Sequence, residues 1–84
     1  MDYSKVFKAL FDPIRLDILR ELGKGEMNAG EIVDKFSLIN SKVSYHLAIL
    51  KKANLIQERK YKNFIFYSLR KEILKETSKW IDEI

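Results

Sequence analysis

The sequence predicts a mainly α protein with a small β-hairpin, in which four helices are followed by two strands and a closing helix. Three observations lead there. Apolar residues recur at helical spacing through most of the first 53 positions, the period shortens to β-rich runs between Leu55 and Leu69, and helical spacing returns from residue 71. At 84 residues the chain is expected to form one domain over 1–84. A chain of this size buries only about 60 to 65% of the surface its unfolded state exposes, so a partner subunit would complete it.

In the first helix, residues 3–11, Tyr3, Val6, Phe7 and Leu10 form an apolar stripe that ends at Asp12-Pro13. Asp12 suits an N-cap in the extended backbone that a following proline imposes, and Pro13 suits the first helical position, where no N–H is needed. The second helix then runs to Leu22. Ile14, Leu16, Ile18, Leu19 and Leu22 cover more than half its circumference, which places it centrally, and Gly23 is expected to supply a left-handed stop. Arg15 falls among those apolar positions and needs a carboxylate or carbonyl partner.

Asn28 and Glu31 have the spacing of a capping box ahead of Ile32, Val33 and Phe36, giving a third helix over 29–37. Only "SLIN" separates it from the fourth, over 41–53, which is too short for anything but a tight turn between helices. On that fourth helix Val43, Leu47 and Leu50 share one face, and Ser41, Ser44, Tyr45, Ala48 and Lys52 share the other. Either Asn40 or Ser41 can cap its start, and Asn54 is expected to take the left-handed conformation after its end. The runs "LIQERKY" and "FIFYSL" pair as a hairpin about Lys62-Asn63. The last helix, 71–84, aligns Ile73, Thr77, Trp80, Ile81 and Ile84 on one face.

The net charge of +4 is unevenly placed. Residues 40–62 carry Lys42, Lys51, Lys52, Arg59, Lys60 and Lys62 against Glu58 alone, so this segment is +5 and the rest of the chain −1. A positive field on one contiguous segment is where a polyanion binds. Helices joined by a tight turn, followed by a basic hairpin, are the order of a winged helix-turn-helix. A fourth helix with a small, polar outer face can enter a major groove, with double-stranded DNA as the partner. The candidate DNA-binding residues are Asn40, Ser41, Lys42, Ser44, Tyr45 and His46 on that helix and Arg59, Lys60 and Lys62 on the wing. His46 can equally pack beside Val43 and Leu50 with a ring nitrogen bonded to backbone. Lys51 and Lys52 suit either DNA contact or the helix dipole.

The stretches "ALFDPIRLDILREL" (9–22), "SKVSYHLAILKKANLI" (41–56) and "FIFYSL" (64–69) resemble the three signature stretches of the ArsR/SmtB family of bacterial repressors, in fixed order across nearly the whole chain. The resemblance is strongest to the short SdpR-like autorepressor branch, whose end has a similar serine–tryptophan helix. It implies a homodimer built on the first and last helices, binding an inverted repeat. The expected interface residues are Tyr3, Val6, Phe7, Leu10, Ile73, Thr77, Trp80, Ile81 and Ile84, with a ligand pocket as the other use of Tyr3, Phe7 and Trp80. The metal-sensing half of the family pattern is missing. "EIVDKFSL" and "EILKETSKWIDEI" stand where sensing members carry cysteine, or Asp and His, ligands, and neither contains Cys or His. No metal or other cofactor is expected, and release from DNA would fall to an unidentified small ligand, a protein partner or autorepressor concentration.

With no cysteine, one histidine and no Gly-rich phosphate loop, no general acid and base pair or activated nucleophile can be assembled, so an enzyme is not expected. No run of about 18 apolar residues exists, which predicts no membrane insertion, and the absence of cysteine suits a cytoplasmic setting. The competing function is a winged helix used for protein contacts, since fold does not fix function. That use would not require the positive segment to coincide with the outward face of residues 41–52.

Overall fold

The computed structural model describes residues 2–84. Five helices and a three-stranded antiparallel sheet follow in the order α1 (Tyr3–Leu10), α2 (Pro13–Leu22), β1 (Met27–Asn28), α3 (Ala29–Phe36), α4 (Asn40–Lys52), β2 (Ile56–Tyr61), β3 (Phe64–Leu69) and α5 (Lys71–Glu83). The sheet order is β1-β3-β2, with Met27 opposite Tyr67, and Ile56 opposite Leu69 through to Tyr61 opposite Phe64. This is the winged helix-turn-helix arrangement expected from the sequence.

Local chemistry sets most boundaries. Asp12 lies at φ −164° and accepts from the Ile14 and Arg15 backbone N–H groups at 2.9 and 3.1 Å, ahead of Pro13 at the helix start. The capping box of α3 forms in both directions: Glu31 N–H donates to Asn28 Oδ1 and Asn28 N–H donates to Glu31 Oε1, each at 2.9 Å. Asn54 takes φ 60° after α4, as expected.

Three local expectations are corrected. Gly23 lies at φ −64°, ψ −20°, in the right-handed region, and donates its N–H to Leu19 O, so α2 tightens into a turn instead of reversing hand there. Neither Asn40 nor Ser41 caps α4: the cap position is Ile39, whose carbonyl accepts from Lys42 and Val43 while its side chain offers no hydrogen bond. The two-residue strand β1 was not expected, and it widens the hairpin into a sheet.

The core gathers Val6 and Ala9 of α1, Ile18, Leu19 and Leu22 of α2, Ile32 of α3, Val43, Leu47 and Leu50 of α4, then Leu55, Ile56 and Ile73. This redistributes the expected dimer stripe. Val6 is 1% exposed, and Ile73 and Thr77 are also buried within the chain, Thr77 donating its hydroxyl to Ile73 O at 2.8 Å. These three serve the chain's own interior, Val6 on the side of α1 that packs against α2 and α4, and Ile73 and Thr77 on the buried side of α5. Trp80 marks the junction of α5 with α1, stacking on Tyr3 with centroids 4.8 Å apart and tilting against Phe7 at 5.8 Å. Phe7, Phe11, Ile81 and Ile84 stay exposed, with Phe11 at 90%.

Candidate nucleic-acid interface

The turn between α3 and α4 occupies residues 37–39. Ser37 closes α3 at φ 53°, and the Leu38 N–H donates to Val33 O, so the chain leaves α3 through a left-handed turn and enters α4 within three residues. Val43, His46, Leu47 and Leu50 turn inward along α4. The opposite face presents Asn40, Ser41, Lys42, Ser44, Tyr45, Ala48, Lys51 and Lys52, all exposed, with Tyr45 at 60%. Short side chains at Ser41, Ser44 and Ala48 leave this face low in relief, so another surface can approach the helix closely.

The wing stands beside α4 through one ion pair. Lys51 Nζ lies 2.6 Å from Glu58 Oε1, which joins the last turn of α4 to β2, and the carboxylate raises the lysine's affinity for its proton. Arg59 is held elsewhere. Its guanidinium pairs with Glu26 at 2.5 Å and sits 4.9 Å from the Phe66 ring centroid. This pairing was not foreseen, because Glu26 lies 33 positions away in the loop ahead of β1. Arg59 therefore arrives partly neutralised. Among the described residues, Lys42, Lys52, Lys60 and Lys62 have no carboxylate within ion-pair distance. Lys62 stands at the hairpin turn with φ 55°, its ammonium 5.4 Å from the Tyr61 ring centroid. Tyr61 and Phe64 face each other across that turn and are both exposed, an aromatic pair that the alternation of the two strands could have revealed.

Of the two uses the sequence allows for His46, DNA contact is set aside and the packed one is found, with an Arg15 side chain and not backbone against its ring nitrogen. It is 3% exposed and lies beneath the outer face of α4. The Arg15 guanidinium approaches its Nδ1 at 3.2 Å, and Asp12 Oδ2 lies 3.9 Å from the same nitrogen. Arginine can only donate, so Nδ1 is the acceptor and the neutral ring carries its proton on Nε2, which has no protein partner. Burial foremost, and the Arg15 charge with it, hold the His46 pKa below its ordinary value against the opposing pull of Asp12. Arg15 meets its expected carbonyl requirement: Nε donates to Ala9 O at 2.7 Å and a terminal N–H to Lys8 O at 3.2 Å.

Among the described residues no three His, Asp or Glu side chains converge as a metal-holding group. No helix among them is long and apolar enough to cross a membrane. A low, polar helix face beside a basic hairpin, on a winged helix-turn-helix frame, defines a DNA-binding protein of the transcriptional-regulator class. Residues 12–58 match the family described as bacterial regulatory protein, arsR family, and the chain belongs to that family. It is 40% identical over 78 residues to the transcriptional repressor SdpR of Bacillus subtilis, spanning 93% of this chain and 87% of that protein. It is 39% identical over 71 residues to the arsenical resistance operon repressor of the same organism, spanning 83% of this chain and 68% of that protein. The homodimeric winged helix-turn-helix DNA-binding domain of a Mycobacterium bovis protein superposes with a TM-score of 0.82 at 25% identity, covering 90% of this chain and 71% of that one. The chain is thus a transcriptional regulator and not an enzyme.

Proposed function

We propose that the chain works in the cytoplasm as a homodimeric repressor, folded as one domain over 1–84, that binds an inverted-repeat operator without sensing metal. The observation that carries this reading is the exposed polar face of α4, tied to the wing by the Lys51–Glu58 pair, with lysines on both elements that have no carboxylate partner among the described residues. Ser41, Lys42, Ser44 and Tyr45 meet base edges and neighbouring phosphates in the major groove, with Asn40 at the entry. Lys60 and Lys62 grip phosphates from the wing, and Arg59 contributes less because Glu26 already holds it.

Self-association is supported by the exposed apolar surface of α1 and α5, formed by Phe7, Phe11, Ile81 and Ile84. Phe11 takes a place in this surface that Val6 cannot fill. A two-fold dimer sets its recognition helices about 34 to 36 Å apart, one turn of B-DNA. The absence of cysteine argues against thiolate sensing of the kind an arsenical or zinc response requires. Induction then falls to a small ligand, a protein partner or the repressor's own concentration.

Footprinting on the DNA upstream of the chain's own gene, combined with sedimentation, tests the proposal. A protected inverted repeat bound by a dimer is the expected result. Equal affinity for upstream and scrambled duplex would favour a winged helix used for protein contacts.

A further inference from the structure

Three helices meet on one buried side chain. Arg15, on α2 and 7% exposed, spends its guanidinium on Ala9 O and Lys8 O in the last turn of α1 and on His46 Nδ1 in the middle of α4. The last carbonyls of a helix have no partner within it and carry the negative end of its dipole, so a cation is well placed there. The planar fork of the guanidinium fixes the direction of each donor, which makes the contact a joint of defined angle and not only a point of attraction. Asp12 adds to this geometry: its carboxylate caps the start of α2 and lies 3.9 Å from His46 Nδ1, so the same ring faces both a cation and an anion from α2.

The two outer helices of this joint have different exposed surfaces. α1 continues into the Phe7 and Phe11 surface and is stacked on α5 through Tyr3 and Trp80, while α4 presents the low polar face. We propose that Arg15 and His46 are positioning residues that fix the angle of α4 relative to α1, and so set the spacing at which the two recognition helices of a dimer meet their half-sites. This rests on the proposed dimeric DNA binding and adds to it which side chains carry the coupling. Neither residue touches DNA: both are buried under the face that does.

The experiment compares two duplexes, one with both half-sites at native spacing and one with a single half-site, for four proteins: wild type, His46→Leu, His46→Asn and Arg15→Met. Circular dichroism and sedimentation first establish which variants fold and dimerise. His46→Leu removes the acceptor, whereas the side-chain oxygen of His46→Asn occupies the place of Nδ1 and restores one. Simultaneous engagement of two half-sites multiplies affinity by about 100-fold or more over one. His46→Leu and Arg15→Met are expected to lose most of that factor while holding the single half-site as wild type does, and His46→Asn is expected to regain it. Equal loss on both duplexes, or no loss on either, overturns the inference. So does failure of both His46→Leu and Arg15→Met to fold, because the joint is then an element of stability alone. If wild type itself gains nothing from the second half-site, it is the dimeric operator reading that falls.

Discussion

The Arg15 guanidinium donates to His46 Nδ1 at 3.2 Å across 31 positions of sequence, burying a cation against an uncharged ring. A protonated His46 would lose that acceptor and face the guanidinium as a second cation. Lys42 adds to the repulsion, Asp12 alone opposes it, and desolvation is the largest cost of all.

Stability should therefore fall as solution is acidified below the ordinary histidine range. The folded-state pKa lies below the unfolded value of about 6.5, so the unfolded chain binds the extra proton first. The contribution is complete above that value and is lost as pH drops through the folded pKa, by at most about 1.4 kcal/mol per pH unit. Urea midpoints at pH 7.5, 6.5 and 5.5 check this. His46→Asn should flatten the dependence over that interval, and an unchanged slope in the variant would assign the effect to other groups.

Phe11→Ser should weaken dimerisation without weakening the fold. Phe11 follows the last residue of α1 and is 90% exposed, so its ring contributes almost nothing to the interior of one chain. Sedimentation at micromolar concentration should show the variant shifted toward monomer, with its far-ultraviolet spectrum unchanged. A variant as dimeric as wild type would exclude this surface from the interface.

Zinc at micromolar concentration should leave operator binding unchanged, with or without chelator. The chain has no thiolate and one histidine, whose Nδ1 is already taken by Arg15. Release of DNA by zinc, reversed by chelator, would refute the proposal on metal.

The helices and hairpin were legible because their signals are local. Asp12-Pro13, the Asn28 and Glu31 pair, and Asn54 each act within a few residues, and each forms as its spacing implies. Two local signals mislead, Gly23, which stays in the right-handed region, and the start of α4, where Ile39 takes the cap position; the other failures are of longer range. A two-residue strand such as β1 has no period, and it exists only because β3 offers Tyr67 and Phe66 as partners. On a helical wheel His46 falls at the edge of the buried stripe, and what carries it inside is Arg15 arriving from α2. Val6, Ile73 and Thr77 read as an exposed stripe until the packing of α1 and α5 onto the rest of the chain is known. The outward residues of α4 needed only helical period, whereas the neutralisation of Arg59 by Glu26 needed the fold.

The two halves of the interface should separate under salt. Lys60 and Lys62 are exposed, without carboxylate partners, at the end of the wing, and a wing that touches only phosphates binds specific and random DNA alike. Changing both to alanine should weaken both duplexes, and each lost phosphate contact lowers the magnitude of the salt slope by about 0.9. Four lost lysines in a dimer remove roughly 3 to 4 units. Arg59→Ala should remove less than a lysine does, since Glu26 already competes for its charge. Tyr45→Ala should behave differently. Its ring is 60% exposed on the outer face of α4, and loss of a base-edge contact costs on the order of 1 to 3 kcal/mol per half-site on the operator, with little effect on random DNA or on the slope. Binding isotherms at four salt concentrations on operator and scrambled duplex measure both quantities. A wing variant that keeps its slope, or a Tyr45→Ala protein weakened equally on both duplexes, would reject the division into phosphate-gripping wing and base-reading helix even in a protein that binds DNA.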